Sequence, residues 1–170
     1  MLLAATLVSA LAVLTTTAWS AYVEPDIDWR EDAAGTPPDF DPTRLIPVDA
    51  PRGSSLSFGI DPQTIAVGAD GVVRYVVVAS SRQGADTALF EGIRCGNGEF
   101  RTYARRNKGE ADWSLVDSNT PWKPLASTGL AAHVLAIASA GVCVGRAPNT
   151  PVDQMVRDLR KAAAEVRYRP

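Results

Sequence analysis

The pattern of apolar and polar positions divides the chain into three parts. Residues 1–20, MLLAATLVSALAVLTTTAWS, form an apolar run without charged side chains. Residues 21–51 are rich in proline and acidic residues, and proline disfavours both helices and central strands. Residues 52–170 carry short apolar segments at strand spacing, followed by segments at helical spacing. The pattern predicts a leader, an extended Pro-rich acidic arm and a single folded domain.

The middle of the chain has the alternation that is typical of strands. The segment SLSFGI places apolar residues at every second position, and Asp70-Gly71 between β-branched runs indicates a hairpin turn. Residues 72–79 are almost continuously apolar, which predicts a central strand covered on both faces. Residues 87–95 and 99–105 flank a Gly-Asn-Gly turn and should pair. These short connections predict an antiparallel meander of about five to seven strands.

Two helices are predicted at the C-terminal end. Residues 127–141, STGLAAHVLAIASAG, are rich in alanine and stop at Gly141, which suits the left-handed residue that follows a helix. Thr150, Pro151 and Asp153 supply the N-cap, N1 and N3 positions of a second helix. Its apolar face comprises Val152, Met155, Val156, Leu159, Ala163 and Val166. The predicted fold class is therefore α+β, an antiparallel β-meander sheet with two C-terminal helices packed on one face.

The apolar leader predicts export. It ends in Ala18-Trp19-Ser20, with small residues at the positions that a signal peptidase reads. We expect a cleaved signal peptide over residues 1–20 and a periplasmic protein. An uncleaved membrane anchor is the alternative, because about 20 apolar residues can span a bilayer. In that case membrane contact would be confined to this segment.

Export changes how the two cysteines are interpreted. Cys95 and Cys143 are the only cysteines, and an oxidising compartment favours a disulfide between such a pair. A zinc site would need four ligands, and the chain adds one histidine to these two thiols, so we expect neither metal nor cofactor. Free thiols, or a nucleophilic cysteine with His133, remain as alternatives. No nucleophile signature surrounds either cysteine.

The distribution of charge points to one surface. The net charge of -2 argues against binding to nucleic acid. Residues 21–41 hold seven acids and one arginine, net -6, whereas residues 94–108 hold five bases and one acid, net +4. Either the acidic arm docks on the basic hairpin, which we favour, or the hairpin binds an anionic envelope component or envelope protein. The candidate interaction surface comprises Arg94, Arg101, Tyr103, Arg105 and Arg106.

Strand alternation adds a geometric expectation for this hairpin. Arg101, Tyr103 and Arg105 should share one face, with Phe100 and Ala104 on the other. That face would be both basic and aromatic.

Three further residues are candidates for a buried polar or functional role. Tyr75 lies inside the most apolar strand, Glu91 lies four residues before Cys95, and His133 lies among apolar residues of the first predicted helix. A hydrolase built from His133 and a nearby acid or hydroxyl is one interpretation. No nucleophile motif or phosphate-binding loop accompanies it, so no catalytic residue is assigned. We favour a non-enzymatic envelope domain, binding or structural.

A long segment resembles a known family. Residues 53–105, GSSLSFGIDPQTIAVGADGVVRYVVVASSRQGADTALFEGIRCGNGEFRTYAR, together with Trp122, His133 and a late AGVC, are similar to the cryptic-neisserial-protein-like (CNP-like) family of proteobacterial envelope proteins. The resemblance covers roughly residues 28–159. Phe90 stands where the family turn has tyrosine. The resemblance implies an exported domain that ends in a helix, and it implies no activity, cofactor or catalytic residue.

Overall fold

The structure is a computed structural model that describes residues 28–49, 54–126, 129 and 132–167. The predicted signal peptide, the start of the arm and the arm–domain boundary at residues 51 and 52 lie outside the described residues. The side chain of Val166, the last member of the predicted apolar face, is also outside them.

Strands dominate the described chain, and two helices follow near its end. The strands are β1 (Ile46–Val48), β2 (Leu56–Ile60), β3 (Ala66–Val67), β4 (Val73–Ser81), β5 (Asp86–Arg94), β6 (Glu99–Asn107), β7 (Ser114–Leu115), β8 (Lys123–Pro124), β9 (Cys143–Val144) and β10 (Ala147–Pro148). The helices are α1 (Ala132–Ile137) and α2 (Val152–Arg167).

Eight of the strands form one antiparallel sheet. Its order is β1-β2-β4-β5-β6-β7, with β3 also paired to β4 and β8 also paired to β6. The predicted meander is confirmed, with one strand more than the expected range. Strands β1 and β8 were not predicted from the pattern. They are short and contain prolines, Pro47 and Pro124, so they lack the alternation that identifies a strand. Strands β9 and β10 form a separate two-stranded hairpin.

The central strand β4 is covered on both faces, as predicted. Val73, Tyr75 and Val77 belong to a large core that includes α1 and α2. Val76 and Val78 face the other way, into a smaller core that the arm covers. The two helices therefore pack on one face of the sheet, and the α+β fold class is confirmed.

The helices differ in how closely they follow the sequence pattern. Helix α1 runs into a π-helical turn over Ala138–Val142, where Gly141 adopts φ +132°. A side chain at Gly141 would meet Asp158 of α2, with its Cβ 2.4 Å from the Asp158 Cβ. Helix α2 begins at Val152, just after the predicted proline, and buries Met155, Leu159 and Ala163. Its apolar face is thus part of the core.

The arm lies on the face of the sheet opposite the helices. Ala34, Phe40 and Leu45 pack against the smaller core, and Trp29 donates an indole hydrogen bond of 2.8 Å to the Asp70 carbonyl. The predicted docking of the acidic arm on the basic hairpin is confirmed by an ion pair of 2.7 Å between Glu31 and Arg101. The molecule therefore has three layers: arm, sheet and helices.

The expected alternation along β6 holds for Arg101 and Tyr103, which share the face under the arm, and is wrong for Ala104 and Arg105. The pairing of β5 with β6 shifts register between Phe90 and Glu91, so that Tyr103 is an extra residue in a β-bulge. The guanidinium of Arg106 lies over the Phe40 ring of the arm, at 4.9 Å from its centroid. Since neighbouring strand residues alternate, Arg105 points to the opposite face and does not share one with Arg101.

Candidate functional site

The predicted disulfide is confirmed. Cys95 and Cys143 are bonded, with their Cα atoms 5.7 Å apart, and they are the only cysteines of the chain. The bond joins the turn after β5 to the end of the π-helical turn, so it fixes the β5–β6 hairpin to the helical layer. Because both sulfurs are bonded, neither is a free or nucleophilic thiol.

The three candidate polar residues meet under the sheet. His133 Nε2 lies 3.1 Å from Glu91 Oε2, and the Tyr75 hydroxyl donates to the same oxygen at 3.4 Å. Thr102 donates to the other Glu91 oxygen at 3.2 Å. The His133 ring stacks in parallel on Phe58, with ring centroids 4.5 Å apart. Each polar side chain of this buried cluster thus has a partner within the apolar core, although His133 Nδ1 is buried without one.

The cluster is closed to a substrate. The exposed fraction of His133 is 4%, and that of Glu91 is 1%. Burial, and then the neighbouring Glu91, raise the pKa of Tyr75 well above its usual value, so Tyr75 acts as a hydrogen-bond donor. A hydrolase would need His133 in a concave pocket that a substrate can enter. The observed geometry gives the cluster a structural role in the core.

On the opposite face, Glu31 of the arm is bound by several donors. Its Oε2 atom accepts from Arg101 Nη1 at 2.7 Å and from Trp122 Nε1 at 3.2 Å. Its Oε1 atom lies 3.9 Å from Arg74 Nη2. The side chain of Glu31 is 18% exposed, and those of Arg74 and Arg101 are 10% and 11% exposed. We call Arg74, Arg101, Tyr103 and Trp122 the Glu31 site.

A second carboxylate holds Arg74 in place. Asp70 accepts from Arg74 Nη1 at 3.1 Å and from Nη2 at 2.7 Å, and it also accepts from the backbone of Asp32. Burial alone would raise the pKa of Asp70. Its hydrogen bonds from Arg74 and from the backbone of Val72 outweigh burial and lower that pKa. Asp70 is therefore ionised at neutral pH and orients the guanidinium of Arg74.

The remaining surface candidates are divided between arm contacts and solvent. Arg94 lies over the Trp29 ring, 3.6 Å from its centroid, and is 3.6 Å from Glu99. Arg106 lies between Phe40 and Trp113 of the smaller core. Arg105 is exposed on the other face. The structure thus brings Arg94, Arg101, Tyr103 and Arg106 under the arm and leaves Arg105 out.

The arm does not fill the whole face. A groove of about 360 Å³ lies beside Glu31. Its lining comes from residues 31–35 and Pro37 of the arm, from Phe90, from residues 101–104 of β6, and from Leu115, Val116 and Ser118. Leu115 is a large apolar side chain with 76% exposure. The groove therefore combines an apolar wall with the charged groups of the Glu31 site.

Sequence reasoning missed Glu31, Arg74 and Trp122 as members of one site. Arg74 carries a usable signal, because it is the one charged residue within the apolar run 72–79. A buried cation needs an anionic partner, and the nearby arm is the acidic segment. Trp122 carries no comparable signal, since its partner lies 91 residues away.

Comparisons with known proteins point to one family. A family model described as the CNP1-like family matches residues 24–160, which confirms the resemblance read from the sequence. No curated protein and no solved structure matches the chain. Among the residues that the structure describes, no helix is long and apolar enough to cross a membrane, and no group of His, Cys, Asp and Glu side chains could hold a metal ion.

Proposed function

Because the chain belongs to the CNP1-like family and holds a disulfide, we propose that it is an exported, non-enzymatic binding domain of the periplasm. Structural disulfides form and persist in oxidising compartments. The uncharged apolar run before residue 21 supports secretion by a signal peptide, and the family match begins just after it. The disulfide and the leader are independent observations that favour the same compartment.

The groove beside the arm carries the proposal of binding. It is open, combines an exposed leucine with charged and aromatic groups, and lies on the face opposite the helices. Binding sites are concave and mostly apolar, with a few polar groups that orient the ligand. In its lining, the Arg101 guanidinium is engaged by Glu31 and by the Ser118 carbonyl. That arrangement suits recognition better than proton transfer or nucleophilic attack.

The charge on the hairpin favours one kind of partner over the others. Of the five bases of the hairpin, Arg94, Arg101 and Lys108 are paired with acids of the chain. Arg106 lies over the rings of Phe40 and Trp113, and Arg105 is exposed on the other face. A flat anionic membrane surface or a polyanionic glycan would need a continuous field of unpaired cations. We therefore propose an envelope protein as the partner.

Site-specific photo-crosslinking tests the binding function. A photoreactive phenylalanine analogue replaces Leu115 in the groove wall, and the matched control carries it at Val144. Both are exposed large apolar residues, with 76% and 62% exposure, and Val144 is outside the groove lining. We expect a discrete adduct in intact cells from position 115 and none from position 144. Equal labelling at both positions, or none at position 115, would contradict the proposal.

Cell fractionation tests the compartment separately. We expect the protein in the periplasmic fraction with an N-terminus after Ser20, and both cysteines resistant to alkylation until reductant is added. An N-terminus at Met1 in the membrane fraction, or two cysteines that react without reductant, would contradict periplasmic export.

A further inference from the structure

The carboxyl group of Glu31 occupies a site whose two arginines are also held in position by groups outside the arm. Arg74 is held by the two hydrogen bonds that it donates to Asp70, and Arg101 also donates to the Ser118 carbonyl. Asp70 and Ser118 belong to the folded domain. The two guanidinium groups would therefore keep their positions if the arm left. Arg74 would retain the Asp70 carboxylate, whereas Arg101 would keep only the Ser118 carbonyl and would lack an anionic partner.

The site is not saturated by Glu31. In the described part of the chain, Arg74 Nε and the Tyr103 hydroxyl are buried without a hydrogen-bond partner, as is His133 Nδ1 in the core cluster. Burial, and then the neighbouring Glu31 carboxylate, raise the pKa of Tyr103 well above its usual value, which places its hydroxyl near Glu31 outside hydrogen-bond geometry. Arg74 Nε and the Tyr103 hydroxyl lie at the same place, because the Arg74 guanidinium carbon is 5.6 Å from the centroid of the Tyr103 ring. Unused donors beside an occupied carboxylate indicate that the site could bind an anion with more contacts than Glu31 makes.

The arm is also held in a way that permits exchange. Between residues 28 and 45 it forms no strand pairing with the sheet, and regular pairing starts only at Ile46. Asp32, Ala33, Gly35 and Thr36 are exposed, and a Cβ built on Gly35 would meet nothing within 4 Å. Segments with few buried contacts open at low free-energy cost.

The arm shows what kind of ligand the face recognises. Trp29 and Glu31 are two residues apart, and both side chains contact arginines of the sheet. Trp29 contacts the guanidinium of Arg94 and packs edge-on against Trp122, with ring centroids 6.0 Å apart. Glu31 pairs with Arg101 and Trp122. The recognised element is an aromatic residue followed, two positions later, by a carboxylate.

We propose that the Glu31 site is a carboxylate-binding site that the arm occupies in cis, and that its ligand in trans is an extended acidic peptide segment with an aromatic-X-acid sequence. This inference rests on the proposed binding function and names the partner's chemistry. The groove wall supplied by residues 101–104, Leu115, Val116 and Ser118 lies outside the arm and includes Arg101, so a peptide that displaces the arm and lies along this wall would bring its carboxylate within reach of the site. The arm then competes with the partner for the same donors.

Chemical rescue with acetate tests the carboxylate site on the purified mature chain. Glu31→Ala removes the carboxyl group, and acetate should bind in its place. We expect 100 mM acetate to raise the melting temperature of this variant by about 2 °C relative to chloride at equal ionic strength. Wild type and the control Asp39→Ala, which alters another exposed arm acid, should not respond. Equal shifts in all three proteins, or no shift in Glu31→Ala, would overturn the carboxylate site.

A peptide titration tests the ligand class. The probe is the fluorescent peptide DWREDAAG, which corresponds to residues 28–35, and the control peptide is DWRQDAAG. We expect the Trp29→Ala/Glu31→Ala variant to bind the acidic peptide about tenfold more tightly than it binds the control peptide, because an ionised acceptor strengthens hydrogen bonds from arginine. Wild type should bind it at least about tenfold more weakly than the variant, since its own arm competes. Circular dichroism checks that the variants are folded.

The outcomes separate the two proposals. Acetate rescue without preference for the acidic peptide would overturn the peptide assignment. Equal affinity of wild type and variant for the acidic peptide would overturn the competition by the arm. Both measurements use purified protein and do not depend on the cross-link at Leu115, so either proposal can fail alone.

Discussion

At the scale of single residues, Gly92 explains why β6 bulges at Tyr103. A Cβ at position 92 would lie 2.6 Å from the Tyr103 hydroxyl and 2.9 Å from Val72 Cγ1. The tyrosine ring therefore covers the bare backbone of the glycine, an arrangement that protects a glycine within a sheet. Tyr103 is also a member of the Glu31 site, so the glycine and the site are coupled through its ring.

Gly92→Ala should destabilise the protein. The added methyl group must displace Tyr103 or Val72, which costs about 1–3 kcal/mol for overpacking in a well-packed region. The matched control is Gly96→Ala, where the nearest atom outside the local chain is 3.7 Å away, and it should change the free energy of unfolding by less than about 0.5 kcal/mol. Urea denaturation measures both. Equal losses would refute the role of the Tyr103 contact.

The buried cluster leads to a second residue-scale prediction. His133→Leu removes the partner of Glu91 Oε2 and leaves a buried carboxyl group with fewer hydrogen bonds, at a cost of about 2 kcal/mol. In a double-mutant cycle with Glu91→Leu, the coupling free energy should be at least about 1 kcal/mol, since the two side chains are in contact. Ser139→Ala, an exposed change in the following π-helical turn, serves as the control. Additive losses from the two core substitutions would contradict the contact.

The members of this cluster could be identified from the sequence, but their contacts with one another could not. Tyr75, Glu91 and His133 stand out because each is polar within an apolar segment. Tyr75 and His133 lie 16 and 42 residues from Glu91 in the chain. Such pairings depend on strand register and on where a helix packs, and neither is encoded in local periodicity.

At the scale of elements, prediction succeeded where a local rule decides the structure. The Asp70-Gly71 turn, the strands of the meander and the apolar face of α2 follow from turn chemistry and periodicity. The β-bulge did not, because it depends on Tyr103 of β6 packing over Gly92 of β5. The strands β1 and β8 were missed for a related reason. They are short edge segments that gain strand geometry only from their neighbours.

The contribution of the arm can be measured, although residues 28–45 of it form neither a helix nor a strand. Deleting residues 21–38 removes Trp29, Glu31 and the contact of Ala34 with the smaller core, and leaves Arg74 and Arg101 without their arm partners. We expect the melting temperature to fall by about 5–10 °C, which corresponds to about 2–3 kcal/mol for a domain of this size. Asp39→Ala, within the remaining arm, provides a control that should leave the melting temperature unchanged. An unchanged value after the deletion would show that the arm contributes no stability.

At the scale of the whole molecule, the sheet lies between two hydrophobic cores and contributes side chains to both. The larger core holds the helices and the disulfide, and the smaller core holds the arm. Carboxylates tie these layers together. Asp61 is fully buried and bonds Arg44 of the arm at 2.7 and 2.8 Å, and Asp70 bonds Arg74. The attachment of the arm layer should therefore depend on the ionisation of acids.

The sign of that dependence follows from the pKa shifts. Burial alone would raise the pKa of Asp61, but hydrogen bonds from Arg44 and from the backbone of Asp41 and Gln63 outweigh it and lower that pKa. The pKa of Asp70 is lowered in the same way, mainly by Arg74 against burial. An acid with a lowered folded pKa contributes stability that is present above its unfolded pKa, about 3.9, and is lost as the pH falls through the folded value.

The free energy of unfolding should therefore be nearly constant from pH 7 to about 5 and fall steadily below about pH 4, because the unfolded chain then binds more protons than the folded one. Urea midpoints between pH 7 and pH 2.5 measure this slope. Asp61→Asn/Asp70→Asn should be less stable at pH 7 and lose less stability on acidification, since two of the responsible groups no longer titrate. A variant with Asp153→Asn, an exposed acid of α2, should keep the wild-type slope. If Asp61→Asn/Asp70→Asn also keeps the wild-type slope, acids elsewhere in the chain control the loss of stability at low pH. The arm layer is then not held by Asp61 and Asp70.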